Sequence, residues 1–226
     1  MQGIILICCR AGSKRLPNKN ILPFADSNLA TIACEQGLRV CKKLSLLGVE
    51  AETVISTDLD IDLPDGVNYV SRPKDLATDT AQMQDVVVHA VEAMSATSKL
   101  DFVCLIQPTS PIRRDKDIIE AVMLLQHNPG VTILSVSKPL QPVTDFISLD
   151  GRLANLDPRG ELTEHLFITG GIYCLSTSDL LEHGNIVGEA DRIKLLITPP
   201  ETGLDIDHKF QFDLASEIYS VEYAET

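Results

Sequence analysis

The chain has 226 residues, 44% of them hydrophobic, and its 19 basic side chains face 32 acidic ones for a formal charge of -13. That is enough apolar material for one domain with a substantial core, while the acidic balance excludes a general grip on DNA or RNA, whose phosphates demand a surface excess of Lys and Arg. No stretch reaches the ~20 apolar residues that span a bilayer, and no basic segment with a cleavage site opens the chain, so a cytoplasmic location without a membrane partner is expected.

Apolar runs with β-branched residues predict strands over residues 4–8, 53–56, 68–70, 102–106, 131–136, 171–175 and 193–197. Helices fall between them. One starts near Thr80, where Met83, Val86, Val87, Ala90, Val91 and Met94 recur on one face; another follows Asp115 with Ile118, Ala121, Val122 and Leu125 on its stripe. Alternating strands and helices predict an α/β fold, a mainly parallel sheet between two helical layers, in a single domain over residues 1–226. Between residues 139 and 166 the alternation gives way to prolines and to short extended pieces at 145–149 and 152–156 around an Asp150-Gly151 turn. This predicts a hairpin arm projecting from the sheet, suited either to joining two copies as a homodimer or to packing on its own domain. The six cysteines, Cys8, Cys9, Cys34, Cys41, Cys104 and Cys174, lack CxxC spacing and read as reduced packing residues.

Four segments carry chemistry. Directly after the first strand, Arg10, Lys14, Arg15 and Lys19 stand in a loop with Gly12 and Ser13 and no acidic residue between positions 10 and 20. A glycine that lets amides approach, a hydroxyl donor and fixed cations suit a small phosphorylated ligand; a solvated basic loop is the alternative. Neither GxGxxG nor GxxxxGK[ST] is present, which argues against the common dinucleotide and P-loop sites. After the strand 102–106, the prolines of Gln107-Pro-Thr-Ser-Pro-Ile-Arg113 would hold Gln107 as an oriented amide beside Thr109 and Ser110. Strand-like alternation in Leu204-Asp-Ile-Asp207 would point Asp205 and Asp207 to one side. That pair suits Mg2+, or else an acidic cap for the helix through Phe210, Leu214 and Ile218. Arg72 precedes the helix that starts near Thr80 and suits phosphate or ribose, with Asp79 or Thr80 as an N-cap.

In this order the segments resemble the acylneuraminate cytidylyltransferases, over nearly the whole chain. The matching pieces are residues 10–20, Ser56-Thr57-Asp58, Arg72-Pro73 with Leu76-Ala77 and Asp79-Thr80, residues 107–111 with Arg113, residues 170–173, and Asp205-Ile-Asp207 with Asp213. The resemblance implies a Rossmann-like nucleotidyltransferase fold. It also implies a reaction in which the anomeric hydroxyl of a sialic-type (nonulosonic) 2-keto sugar acid attacks the α-phosphate of CTP and releases pyrophosphate. Arg10 and Lys19 would then be the catalytic cations. Ala11, Gly12, Ser13, Lys14, Asn20, Arg72 and the backbone around Ala81 and Met83 would hold the nucleotide. Gln107 and Arg159, with Phe167 and Thr169, would face the sugar, and Asp205 and Asp207 would bind Mg2+. The resemblance names no general base.

Phe167 and Thr169 replace an arginine and an asparagine of the typical enzymes, which leaves pseudaminic- and legionaminic-type acids open beside N-acetylneuraminate. Enzymes that activate the eight-carbon acid Kdo carry an arginine where Lys14 stands and lack the Lys19-Asn20 pair, which makes Kdo the alternative acceptor. A nucleotide-binding module of the same fold without catalysis, and an enzyme that uses a sugar 1-phosphate, are the other readings.

Overall fold

A computed structural model describes residues 1–96, 98–139 and 165–222. Among these residues the chain forms strands β1 (Gln2–Cys8), β2 (Glu50–Thr57), β3 (Val67–Ser71), β4 (Phe102–Ile106), β5 (Thr132–Ser137), β6 (Phe167–Ser176) and β7 (Ile193–Ile197). The helices are α1 (Leu29–Ser45), α2 (Met83–Ser95), α3 (Asp115–His127), α4 (Thr177–His183) and α5 (Lys209–Glu222). The strands make one sheet in the order β3-β2-β1-β4-β6-β5-β7, parallel throughout except for β6, which runs antiparallel between β4 and β5. The expected mainly parallel α/β sheet is the one observed.

Strand alternation divides the core. From β1, Ile5 and Ile7 point to one face and pack with Ala33 and Val40 of α1 and Ile118 and Val122 of α3. Ile4 and Leu6 point to the other and meet Val87 and Val91 of α2 and Leu180 of α4. A third cluster joins Leu16 of the loop after β1 to Phe24, Ile206 and Phe212, so α5 closes over the end of the sheet where β1 finishes. The rings of Phe24 and Phe212 meet edge to face, 5.2 Å between centroids.

Two boundaries depart from the sequence pattern for local reasons. The second helix begins at Met83, not near Thr80, because the Thr78 hydroxyl accepts the Ala81 amide at 3.1 Å and Gln82 is extended. A side chain that satisfies an amide this way competes with the first helical turn. Strand β6 begins at Phe167, four residues before the apolar run at 171, since Phe167 and Ile168 pair with Ser137 and Val136 of β5 and that pairing supplies order that composition does not. The arm expected over residues 139–166, with Arg159, falls almost wholly on 140–164, outside the described residues. None of the described helices is long and apolar enough to cross a membrane.

Candidate active site

Strands β1 and β4 are neighbours, and the chain leaves them in opposite directions, β1 toward β2 and β4 toward β5. A crevice opens at the carboxyl ends of strands where connections diverge in this way. Here it is a cleft of about 370 Å³.

The basic loop after β1 forms one wall. Its path is fixed by Gly12 at φ +76° and Asn18 at φ +57°, by Leu16 buried against Phe24, and by a single 3₁₀ turn, Lys19–Ile21, that buries Lys19 and Asn20. Asp58, at the end of β2, accepts the Ala11 amide at 2.9 Å and holds the loop from the other side. Arg10, Ser13, Lys14, Arg15, Lys19 and Asn20 line the cleft; Ala11 and Gly12 shape the turn without lining it.

Two carboxylates from distant segments balance these cations. Asp79 lies 2.5 Å from Arg10 and 2.9 Å from Lys14, and Asp207 meets Arg15 and stands 3.6 Å from Lys19. Hydrogen bonds from Lys14 and Arg10 hold the Asp79 carboxyl below its ordinary pKa. Lys19 is only 8% exposed, and its ammonium donates to the Ile206 carbonyl. Burial lowers its pKa, while Asp207 and Asp205 work in the opposite direction. Asn20 donates to the Arg10 carbonyl at 3.2 Å, and its own side-chain oxygen, buried at the cleft, has no partner among the described residues.

The remaining walls come from β3, α2 and β4. Arg72 is 5% exposed, and its guanidinium donates to the Ser56 carbonyl at 2.7 Å. Met83 lines the cleft, as do Gln107, Pro108 and Thr109 of the turn after β4. Ala81 does not, and its amide is held by Thr78. Cys8 and Cys9 form part of the floor; burial pushes their thiols up to about 12 and about 11, so both are neutral packing groups.

Besides Ala11, Gly12 and Ala81, three more residues read from sequence as site groups lie outside the cleft lining. The Thr169 hydroxyl is buried in the sheet, 2.6 Å from the Ser135 hydroxyl. Phe167 packs over Gly203, where a Cβ would overlap its ring. Neither lines the cleft. Segment 204–207 is not a strand: its path is set by the Ile206 amide donating to the Thr109 carbonyl at 2.8 Å, so Asp207 faces the cleft and Asp205 is exposed outside its lining. Ahead of α5 the Gln211 side-chain oxygen takes the amides of Asp207 and His208 at 2.9 and 2.8 Å, while the Asp207 carboxyl is engaged by Arg15 and Lys19.

Among the described residues no three His, Cys, Asp or Glu side chains group closely enough to hold a metal by themselves. Mg2+ does not require that, because it commonly takes one or two carboxylates and completes its shell with phosphate and water. Of the expected pair only Asp207 faces the cleft, and one carboxylate completed by phosphate and water is a donor set of the kind that Mg2+ takes. Asp79 and Asp58 were not singled out as site residues from sequence. The signal that could have found them was charge balance, for a loop with four cations and no acid needs carboxylates from elsewhere in the fold.

A model of one protein family, described as Cytidylyltransferase, matches residues 4–160. The chain belongs to the cytidylyltransferase family. It is 29% identical over 230 residues to an N-acylneuraminate cytidylyltransferase of Escherichia coli, an alignment that takes in 95% of this chain and 51% of that protein. The chain thus spans about half the length of that relative. A CMP-N,N'-diacetyllegionaminic acid synthase of Legionella pneumophila is 28% identical over 239 residues, 96% of each chain. A pseudaminic acid cytidylyltransferase of Campylobacter jejuni is 22% identical, covering 99% of this chain and 98% of its own. Among solved structures, a CMP:2-keto-3-deoxy-manno-octonic acid synthetase in complex with CTP superposes with a TM-score of 0.68 at 18% identity, covering 98% of this chain and 99% of that one. A 2-C-methyl-D-erythritol 4-phosphate cytidylyltransferase of Thermus thermophilus gives 0.61 at 14% identity, over 95% and 98%. At such identities the superpositions show a shared fold, and the family model shows the cytidylyltransferase kinship.

Proposed function

We propose that this cytidylyltransferase transfers CMP from CTP to the anomeric hydroxyl of a nonulosonic 2-keto sugar acid, in the cytoplasm and as a homodimer. The observation that carries the reading is the convergence of Arg10 and Lys19 of one loop with Gln107 and Asp207 of distant segments on one cleft at the divergence of β1 and β4. In the reaction the hydroxyl oxygen bonds to the α-phosphorus, the bond from that phosphorus to the β-bridging oxygen breaks, and the electron pair leaves with pyrophosphate. The hydroxyl proton passes to solvent or to a base outside the residues assigned here.

The charge that must be stabilised lies on the phosphoryl oxygens and the departing pyrophosphate. Arg10 and Lys19 meet that charge, with Ser13 and Lys14 as further donors; Ala11 and Gly12 contribute by shaping the turn that carries them. The cations now paired with Asp79 and Asp207 would exchange those carboxylates for phosphate. Arg72, Asn20 and Met83 border the base and ribose, with Ala81 behind them. Gln107 presents its amide to the sugar acid. Arg159 belongs to this reading as a sugar-acid contact, whereas Phe167 and Thr169 act on acceptor choice only by supporting β6. Asp207, which faces the cleft, would hold a Mg2+ ion, with Asp205 able to join it only by turning inward from its exposed position; the ion when bound supplies Lewis-acid stabilisation of phosphate charge.

The relatives act on several different acids by name, and the fold is shared with a synthetase for the eight-carbon acid. The deciding experiment is pyrophosphate release from CTP with a panel of N-acetylneuraminate, legionaminic- and pseudaminic-type acids and Kdo, with and without Mg2+. Turnover with at least one nine-carbon acid is expected. Turnover with Kdo alone would move the assignment to that acceptor. Calorimetric binding of CTP without turnover of any acid would make the chain a nucleotide-binding module.

A further inference from the structure

Beneath the turn that follows β4 lies a buried network that the reaction scheme above does not use. Arg113, 2% exposed, donates to the carbonyls of Gln107 and Ser110, the latter at 2.6 Å. Its Nε donates to Gln36 Oε1 at 3.1 Å. Gln36, on α1 and 4% exposed, donates in turn to the Arg113 carbonyl and to Asp115 Oδ1, each at 3.1 Å. One terminal nitrogen, Nη1, thus grips two carbonyls of a single turn, and Gln36 of α1 holds the guanidinium plane through Nε. A lysine ammonium could meet the two carbonyls but not the Gln36 oxygen with them in a fixed plane, because it is a point donor on a flexible stem.

The turn held in this way makes two further connections. Its upper side presents Gln107 and Thr109 to the cleft. The Thr109 carbonyl accepts the Ile206 amide at 2.8 Å, and the Ile206 carbonyl receives the Lys19 ammonium. A continuous series of hydrogen bonds therefore runs from Gln36 through Arg113 and the turn to Ile206 and Lys19, ending beside Asp207. Arg113 itself does not line the cleft.

We infer that Arg113 is a positioning residue that sets, from below, both the Gln107 amide and the height of segment 205–207 against Lys19. It links the acceptor side of the cleft to its carboxylate side, a role that rests on the activity proposed above only for its kinetic consequence. The physical reason is that polypeptide turns rich in proline resist bending but still translate as a unit. Two carbonyls pulled toward one buried cation remove that freedom, and the cation's burial is compensated by the carbonyls and Gln36 together.

The test uses the full chain and two variants, Arg113→Lys and Gln36→Leu, with hydrogen exchange followed residue by residue by NMR. In Arg113→Lys the Ile206 amide should exchange about tenfold faster or more relative to the amides of Cys104 and Leu105 in β4, since local opening is reported separately from global opening. Gln36→Leu, which keeps the guanidinium but frees its plane, should shift Ile206 the same way by a smaller factor and carries the test if the lysine variant does not fold. With an acid that the wild type turns over, the acceptor KM should rise by roughly tenfold and the calorimetric Kd for CTP should stay within about twofold, because misplacement affects the group that the turn presents. Unchanged exchange at Ile206, or equal acceleration at Ile206, Cys104 and Leu105, would overturn the role and leave Arg113 as a stability residue. If the wild type turns over no acid, the activity proposed above fails while the exchange result still decides the role of Arg113.

Discussion

Lys19→Met isolates the ammonium at the centre of the site, since methionine keeps most of the stem's packing and deletes the charge. Two energies are set by the structure. The folded protein loses a charge-assisted bond to the Ile206 carbonyl, a loss on the order of 1.5–3 kcal/mol. It no longer buries a cation, whose desolvation already lowers the pKa of Lys19, and Asp207 keeps Arg15. A net cost of about 1–2 kcal/mol corresponds to a fall in Tm of about 2–8 °C for a chain of this size. Loss of one preorganised donor at developing charge costs about 10²–10³ in kcat, or about 2.7–4 kcal/mol, so activity should fall far more than stability. Pyrophosphate release and thermal unfolding, measured on the same preparation, separate the two. A kcat within about threefold of wild type, in a variant showing the expected fall in Tm, would refute a role at the phosphates, for it corresponds to less than about 1 kcal/mol of transition-state stabilisation. The pH dependence supplies a second check. A lysine whose folded pKa lies below the ordinary 10.5 costs stability at neutral pH, and that cost is relieved as pH rises through the folded pKa toward 10.5, where the unfolded chain binds the extra proton. The wild type should show this alkaline gain and Lys19→Met should lack it.

Asp207→Asn should raise the Mg2+ concentration needed for half-maximal turnover by about tenfold or more, because a carboxylate ligand becomes a neutral amide; an unshifted Mg2+ titration would reduce Asp207 to a counter-ion for Arg15 and Lys19. Gly203→Ala forces a Cβ into the Phe167 ring and should lower stability by about 1–3 kcal/mol, with the CTP Kd unchanged because Phe167 does not line the cleft. A large loss of CTP affinity would show that this corner supports the nucleotide site after all. Asp115 is partly desolvated, yet Lys43, Gln36 and Arg39 hold its pKa below 3.8, so the stability it contributes is present above that value and lost as pH falls through the depressed folded one. Chemical denaturation from pH 7 to about pH 2 should therefore show Asp115→Asn less stable than wild type by about 1–3 kcal/mol at neutral pH, with the gap closing below 3.8. A gap independent of pH would mean that the ion pairs to Lys43 and Arg39 contribute nothing.

The sequence by itself determined the layers and the anion. The stripe from Met83 to Met94 has the period of a helix, the short apolar runs rich in β-branched residues have the length and composition of buried strands, and the loop carrying Arg10, Lys14, Arg15 and Lys19 follows the first strand wherever the sheet goes. Charge and motif order were legible for the same reason, since they are local. Tertiary structure decided the rest. It determined that Asp207 and not Asp205 faces the cleft, because one amide of the intervening residue binds a carbonyl 97 positions earlier in the chain. It turned Thr169 into a partner for Ser135, because antiparallel pairing of β6 with β5 places those hydroxyls face to face within the sheet. It also assigned Asp79 to the cations of the first loop and Arg113 to the underside of the turn. Such pairings depend on which segments the sheet order brings side by side, and a linear pattern of side chains contains no distance between them.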